Sequence, residues 1–263
     1  MTTALQQAPS TAELVEFLQP AIADQLGASI ESLARAPSRY STSFAMENLE
    51  VTLNDGSRLG LVFKDLSPEA LLDGARRTRP GFAYLARREV DVYRRVLSPA
   101  GMGTAHPFAA EADPGAGRYW LFLEKVEGVE LYQVQDLEIW KAAARWLSFL
   151  HERFASVEVP ASVAGYDAGW YRRWMGRALE FSPEGTAAAL ERLVPAHEAT
   201  VEHLSALPAT LIHGDFYASN VLTGWTGSGL RVCPVDWERA AIGPGMLDLA
   251  SLCAGWDDRP AAE

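Results

Sequence analysis

Apolar positions along this chain recur with two different periods, and the change of period divides it. From Thr11 to Leu26, Leu14, Phe17, Leu18, Ile22 and Leu26 fall at helical spacing, which predicts a helix lying on the domain. From Ser41 to Leu53 the apolar residues Phe44, Met46, Leu49, Val51 and Leu53 read as strand, closed by the turn signal Asn54-Asp55-Gly56. Arg58 to Lys64 follows as its hairpin partner. On that strand Leu59, Leu61 and Phe63 face one way, and Gly60, Val62 and Lys64 face the other. A helix is predicted from Phe82 to Leu97, with the stripe Phe82, Leu85, Val92, Tyr93 and Val96. Tyr119 to Gly128 reads as a strand end and a connector. Beyond it the period turns helical: Asp136 to Phe154 is apolar over much of its circumference, as a buried helix is. Gly165 to about Leu207 is helical too, and its early aromatics Trp170, Tyr171 and Trp174 read as core packing, with the wall of an acceptor pocket or a cation-binding cluster as the alternative.

A strand-loop-strand near the end organises the rest. Leu211-Ile212-His213-Gly214-Asp215-Phe216-Tyr217-Ala218-Ser219-Asn220-Val221-Leu222 passes from apolar residues through a polar turn and back. A second apolar run ends in Val235-Asp236-Trp237-Glu238. Two buried strands of this kind deliver Asp215 and Asn220 on one loop and Asp236 beside them. Carboxylates and a carboxamide suit a hard cation such as magnesium, which takes few protein ligands together with substrate phosphates. An acid held close by without ligating the metal can orient an attacking hydroxyl. The same residues also admit a turn held by His213 alone, or a metal-dependent hydrolase built on His213 and Asp215.

The first half of the chain narrows this. Val62 and Lys64 share one strand face, as a roof over a nucleotide requires: Val62 over the base, Lys64 toward the phosphates; taken alone, a lysine ending a strand also reads as simply solvated. On the following helix Glu89 falls inside the apolar stripe, whereas Arg87, Arg88, Asp91, Arg94 and Arg95 fall outside it. A carboxylate on a buried face is costly unless paired, and Lys64 is the available partner; the alternative is a Glu89 at the helix edge, solvated. His151 lies on the apolar side of its helix, as a core histidine or a brace for the catalytic loop. Asp248, at a helix start, reads as structural support, and Glu238 as either a site neighbour or a charged strand end.

Bulk properties set limits. The 263 residues suffice for one large domain or two lobes, and 48% apolar with 22% charged residues is ordinary for a globular protein. No uncharged apolar run reaches membrane length, and Met1 to Gln7 lacks a secretion signal, so the expectation is a cytoplasmic protein without a membrane partner. Cys233 and Cys253 have no metal-site spacing. The net charge of -11 argues against nucleic-acid binding and mildly favours a cationic substrate.

With His-Gly-Asp at 213–215, Asn220, Asp-Trp-Glu at 236–238 and Gly243-Pro244-Gly245-Met246-Leu247-Asp248-Leu249-Ala250, the chain resembles the aminoglycoside phosphotransferase and choline kinase-like family. The resemblance runs from about Ser32 to Ala254. It implies an α+β, bilobal protein-kinase-like fold: a small β-rich nucleotide-binding lobe over 1–125 and a larger, mainly helical catalytic lobe over 126–263. It implies ATP and magnesium as cofactors, and phosphoryl transfer to a small-molecule hydroxyl on an aminoglycoside-like compound, an amino alcohol or a sugar. By resemblance Asp215 is the catalytic base, Asn220 and Asp236 hold the metal, and Lys64 with Glu89 holds the phosphates. The carbonyl of Glu124 and the amide of Val126 would read the adenine edge. Two departures stand out. The loop expected over the phosphates, Ala36 to Ser43, contains no glycine, which brings in a kinase-like binding module without turnover as the alternative. The chain also stops at Glu263, sooner than relatives that continue through further helices.

Overall fold

A capping box starts the first helix: the Ser10 hydroxyl accepts the Glu13 amide at 3.2 Å, and the Glu13 carboxylate accepts the Ser10 amide at 2.7 Å. Helix α1 runs Thr11–Leu26 and stops at Gly27, whose φ of +65° closes the last turn. These details come from a computed structural model that describes residues 8–41, 43–183 and 185–254. The stretch Met1 to Gln7, Thr42 of the glycine-free loop and the end of the chain at Glu263 lie outside the described residues.

Five antiparallel strands form the N-terminal sheet: β1 (Ile30–Pro37), β2 (Met46–Leu53), β3 (Arg58–Asp65), β4 (Pro107–Asp113) and β5 (Arg118–Glu124), in the order β1-β2-β3-β5-β4. Strand β1 was not anticipated, because its outer-edge position leaves it with no fully buried residue and little apolar pattern. Period-two alternation then splits the sheet into two faces. Leu49, Val51, Leu61, Phe63 and Phe122 pack under Leu14, Leu18 and Ile22 of α1. Leu121 and Leu123, on the opposite face, join the core of the second lobe.

Between β3 and β4 the chain departs from expectation. A short helix α2 (Asp73–Thr78) is followed by a 3-10 turn at Gly81–Ala83, and helix α3 begins only at Arg87, running to Val92. It continues through a π-helical turn at Tyr93–Leu97 into the final turn α4 (Ser98–Ala100). Phe82 and Leu85 therefore precede the helix, and Leu85 is exposed. Arg88 and Asp91, expected on the solvent side, are buried together with Glu89. A single apolar stripe fails here because α3 is covered by protein on more than one side.

The second lobe holds two small sheets and four helices. Strands β6 (Val129–Glu130), β9 (Val221–Thr226) and β10 (Gly229–Pro234) form one sheet; β7 (Ala164–Gly165), β8 (Ala209–Ile212) and β11 (Ala241–Pro244) form the other. Helix α5 (Leu137–Arg153) buries only Ala143, Leu147 and Leu150 and leaves Phe149 exposed, so it is one-sided where its sequence suggested burial all round. Helices α6 (Ala168–Glu180) and α7 (Ala187–Ala206) replace the single helical stretch expected there, and α8 (Met246–Leu252) follows the catalytic strands. Among the described residues no helix is long and apolar enough to cross a membrane.

Candidate active site

Strand β8 ends at Ile212, and His213 is fully buried between the rings of Trp237 and Phe216, at 4.5 and 5.6 Å between centroids. Its Nε2 faces the Val235 carbonyl at 2.9 Å, so that nitrogen carries the proton and donates. Burial pushes the imidazole below its ordinary value and keeps it neutral. A ring committed in this way is a brace for the turn; it offers no metal ligand from Nε2. The hydrolase reading loses Nε2 as a ligand; the Nδ1 is buried and has no hydrogen-bond partner among the described residues.

The turn after His213 is held from below. Asp248, fully buried at the start of α8, accepts the His213 amide at 2.7 Å and the Gly214 amide at 2.9 Å. His151 of α5 reaches the same carboxylate through Nε2 at 3.2 Å, so the histidine is the brace expected from its helix face. Gly214 adopts φ +78°, and a Cβ there would stand 2.3 Å from the Arg239 carbonyl. Only glycine fits, and the turn is thereby pressed against the segment that follows Asp236.

Asp215 emerges from this turn half-buried. Desolvation raises its carboxyl above the ordinary value; the nearby charge of Arg239 opposes that shift. Asn220, at the end of a 3-10 turn, donates its side-chain NH2 to the Asp215 carbonyl at 2.9 Å and to the Asp215 carboxylate at 3.3 Å. The amide oxygen of Asn220, a hard donor, is left to face elsewhere.

The hairpin β9–β10 then fixes the next ligand candidate. Pro234 pairs with Val221, and the Val235 amide donates to the Asn220 carbonyl at 2.9 Å, which sets Asp236 beside Asn220. Asp236 has φ +67°, a left-handed conformation that aspartate and asparagine tolerate better than other residues with a Cβ.

Lys64 joins the two lobes. Its Nζ lies 2.8 Å from Glu89 Oε1 and 2.8 Å from Asp236 Oδ1. Burial alone would drive the lysine toward neutrality, but the charges of Asp236 and Glu89 outweigh it and hold the ammonium protonated. Glu89 also accepts the Trp237 amide at 3.3 Å. Burial raises its carboxyl to about 7 in spite of Lys64. Asp236 moves the other way: burial raises it, but the Lys64 charge and hydrogen bond win and leave it below its ordinary value. Val62 sits half-buried on the same strand as Lys64, facing away from the α1 core.

The connector is less exclusive. Glu124 ends β5, and its carboxylate holds Arg231 of β10 through two bonds at 2.6 and 2.8 Å, so its side chain ties the lobes together. Val126 is partly buried against the main core. Gly128 follows, where a Cβ would meet the Thr223 carbonyl at 2.7 Å, so the connector lies tight on β9.

Several site neighbours carried no local signal. Arg88, 4% exposed, donates to the carbonyls of Ser162, Ala83 and Glu238 at 3.1–3.2 Å. Asp91 accepts the Ser162 hydroxyl at 2.7 Å and Arg87 at 2.8 Å. Arg79 pairs with Glu238, and Ser43 donates to the same carboxylate at 3.3 Å. Glu238 is thus a site neighbour, not a charged strand end. In the glycine-free loop the serines hold the loop itself: Ser41 accepts the Met46 amide at 3.0 Å and donates to the Ser38 carbonyl at 3.0 Å.

The donor set suits a magnesium–nucleotide pair. Asp236 and the amide oxygen of Asn220 offer two hard oxygens at one edge, and Lys64 is a fixed cation beside Asp236. Among the described residues no three His, Cys, Asp or Glu side chains gather into a cage, and a site of this kind leaves the remaining positions to phosphate and water.

Comparisons with known proteins bear on the fold and the family. The fold matches a spectinomycin phosphotransferase bound to ADP and spectinomycin, with a TM-score of 0.56 and 17% identity over 93% of this chain and 74% of that one. It matches a choline kinase from Streptococcus pneumoniae at TM-score 0.56 and 13% identity, over 91% of this chain and 73% of that one. An aminoglycoside phosphotransferase from Streptomyces rimosus, in complex with ADP and streptomycin, aligns at TM-score 0.52 and 20% identity over 94% and 87% of the two chains. No curated protein matches by sequence. The sequence profile of the phosphotransferase enzyme family matches residues 43–263, which include Lys64, Glu89, Asp215, Asn220 and Asp236. The chain belongs to the phosphotransferase enzyme family.

Proposed function

We propose that this protein transfers the γ-phosphoryl group of ATP to a hydroxyl of a small molecule, with magnesium. The observation that carries the reading is the convergence of Lys64, Asp236, Asn220 and Asp215, from both lobes, on one edge. Phosphoryl transfer asks little covalent chemistry of a protein; positioning and charge stabilisation carry it. Residues 1–125 form the nucleotide-binding lobe in this reading, and 126–263 the catalytic lobe. The adenine lies under Val62, with the Glu124 carbonyl and the Val126 amide at its edge. Lys64, held by Glu89, binds the phosphates.

Asn220 and Asp236 would hold the metal. Held there, magnesium would supply positive charge against the phosphates of the nucleotide. Asp215 accepts a hydrogen bond from the acceptor hydroxyl and takes its proton as the oxygen bonds to phosphorus. The bond from phosphorus to the β–γ bridging oxygen breaks, and ADP leaves with that oxygen. Desolvation, which raises the Asp215 carboxyl, makes it a better base than an ordinary aspartate. The braces on either side of it, Asp248 from below and Asn220 from the side, hold it in place. The reading of a binding module without turnover gains nothing from this arrangement, in which Lys64, Asp236, Asn220 and Asp215 stand together at one edge.

The deciding experiment is Asp215→Asn. Calorimetry with magnesium-ATP should show affinity near that of the unaltered protein, because Asp215 is not a ligand. Transfer to an acceptor should fall by roughly 10²–10⁴-fold, the range of general-base catalysis. Retained transfer would sink the base assignment, and lost nucleotide affinity would make Asp215 a metal ligand.

A further inference from the structure

Beside the catalytic turn lies a cleft of about 480 Å³, walled by Arg79, Ala83, Trp174, Glu238 and Arg239. It adjoins the base: the Gly214 backbone packs directly on the Arg239 carbonyl, which also accepts the Tyr166 hydroxyl at 3.2 Å. The charges in this cleft are not balanced. Glu238 is its only acid, and Arg79 binds both Glu238 oxygens. Arg239 makes no side-chain hydrogen bond or ion pair among the described residues, although its charge reaches Asp215. In a chain of net charge -11, the cleft beside the base therefore presents an uncommitted cation and no uncommitted acid other than Asp215 itself.

Part of the lining is aromatic, through Trp174. Trp174 stacks on Trp170 at 5.2 Å and meets Phe82 edge-on at 5.3 Å. These rings are half-buried and belong to neither apolar core, contrary to the packing role their spacing suggested. An apolar ring beside a free guanidinium fits an anionic organic molecule. A cationic acceptor would meet the repulsion of Arg239, and the acid in the cleft's lining, Glu238, is already bound by Arg79.

We propose that this cleft is the acceptor pocket and that the acceptor is a hydroxyl-bearing carboxylate, its carboxylate on Arg239 and its carbon skeleton against Trp174. The planar fork of arginine binds a carboxylate through two parallel bonds, and that fixes the orientation of a small molecule as well as its affinity. The proposal rests on the phosphotransfer reading above and reverses the cationic preference suggested by the overall charge.

The test uses the full chain, magnesium-ATP, and two pairs of probes: glycerate and 3-phenyllactate against choline and kanamycin. ADP formation should depend on the hydroxycarboxylates, and Arg239→Met should raise their KM about tenfold or more, the loss expected for hydrogen bonds to a charged group. The KM for ATP should not move, and Arg239→Lys should recover part of the loss. Faster transfer to choline or kanamycin overturns the proposal and leaves the phosphotransferase reading intact. An Arg239→Met effect on ATP equal to that on the acceptor also overturns it, placing Arg239 on the nucleotide. If no probe is phosphorylated, tryptophan fluorescence decides: saturable quenching by a hydroxycarboxylate that is lost in Arg239→Met supports the pocket, and no saturable quenching by either overturns it. Failure of magnesium-ATP to bind at all would instead remove the phosphotransferase reading.

Discussion

The buried carboxylate of Asp248 accepts the backbone amide of His213 at 2.7 Å, from a helix that begins more than thirty residues later. Its other oxygen takes the next amide, that of Gly214, so the position of Asp215 depends on a side chain outside the loop. Asp248→Ala strands two buried amides, each costing about 1–3 kcal/mol. The expected result is a lower denaturant midpoint together with a lower kcat. Asp248→Asn, which keeps one acceptor oxygen, should fall between. A midpoint unchanged in Asp248→Ala would remove this brace.

Lys64 and Glu89 form a pair that is buried at both ends, and breaking one side of such a pair costs more than removing both. Glu89 titrates at about 7 in the fold, above its usual 4.5, because it is buried. A carboxyl raised in this way contributes stability that is complete below its unfolded value and is lost as pH rises through the folded one. Without Lys64 nothing offsets that loss. Lys64→Met should therefore be more destabilising at about pH 8 than at about pH 5.5, and adding Glu89→Gln should abolish most of the difference. Urea midpoints of the four proteins at both pH values measure this. Simple additivity would show that the two groups do not share one site.

Asp215 is also raised by burial, so its titration bears on both rate and stability. The rising limb of kcat/KM should lie above the ordinary aspartate value of 3.8. Its folded value exceeds its unfolded one, so its stabilising contribution is full in acid and disappears as pH rises. Asp215→Asn, a mimic of the neutral form, should then raise the thermal midpoint at neutral pH, with the gain shrinking as pH falls toward the carboxylate range. A midpoint lowered at neutral pH would mean that the charge is stabilised in place.

Much of this site was legible because its signals are local or fall on one face. Asp215, Asn220 and Asp236 lie on one strand-loop-strand, and a pairing register carries them together. Lys64 and Glu89 were legible because a lone carboxylate among apolar neighbours demands a cation. Helix α1 was legible to its bounds, since its one buried face follows the period. Arg88 and Asp91 were not, because they are buried by carbonyls and a hydroxyl more than seventy residues away. Strand β1 lacked a pattern because the sheet edge exposes most of it. Trp174 has the spacing of a core residue, yet its position at a cleft depends on what packs against its helix, and spacing does not encode that.

Arg88 reaches from α3 into the second lobe and donates to the Glu238 carbonyl, while Gly128 lays the connector on β9 and Ser43 reaches Glu238. Lys64 bonds Asp236 and Glu124 holds Arg231 as well, so the N-terminal sheet is tied to the second lobe at several points that do not lie on one line. A body held in that way has no hinge axis of its own. Because Glu238 both receives Ser43 and anchors Arg79 at the cleft wall, one carboxylate carries a tether of the sheet and a wall of the cleft together.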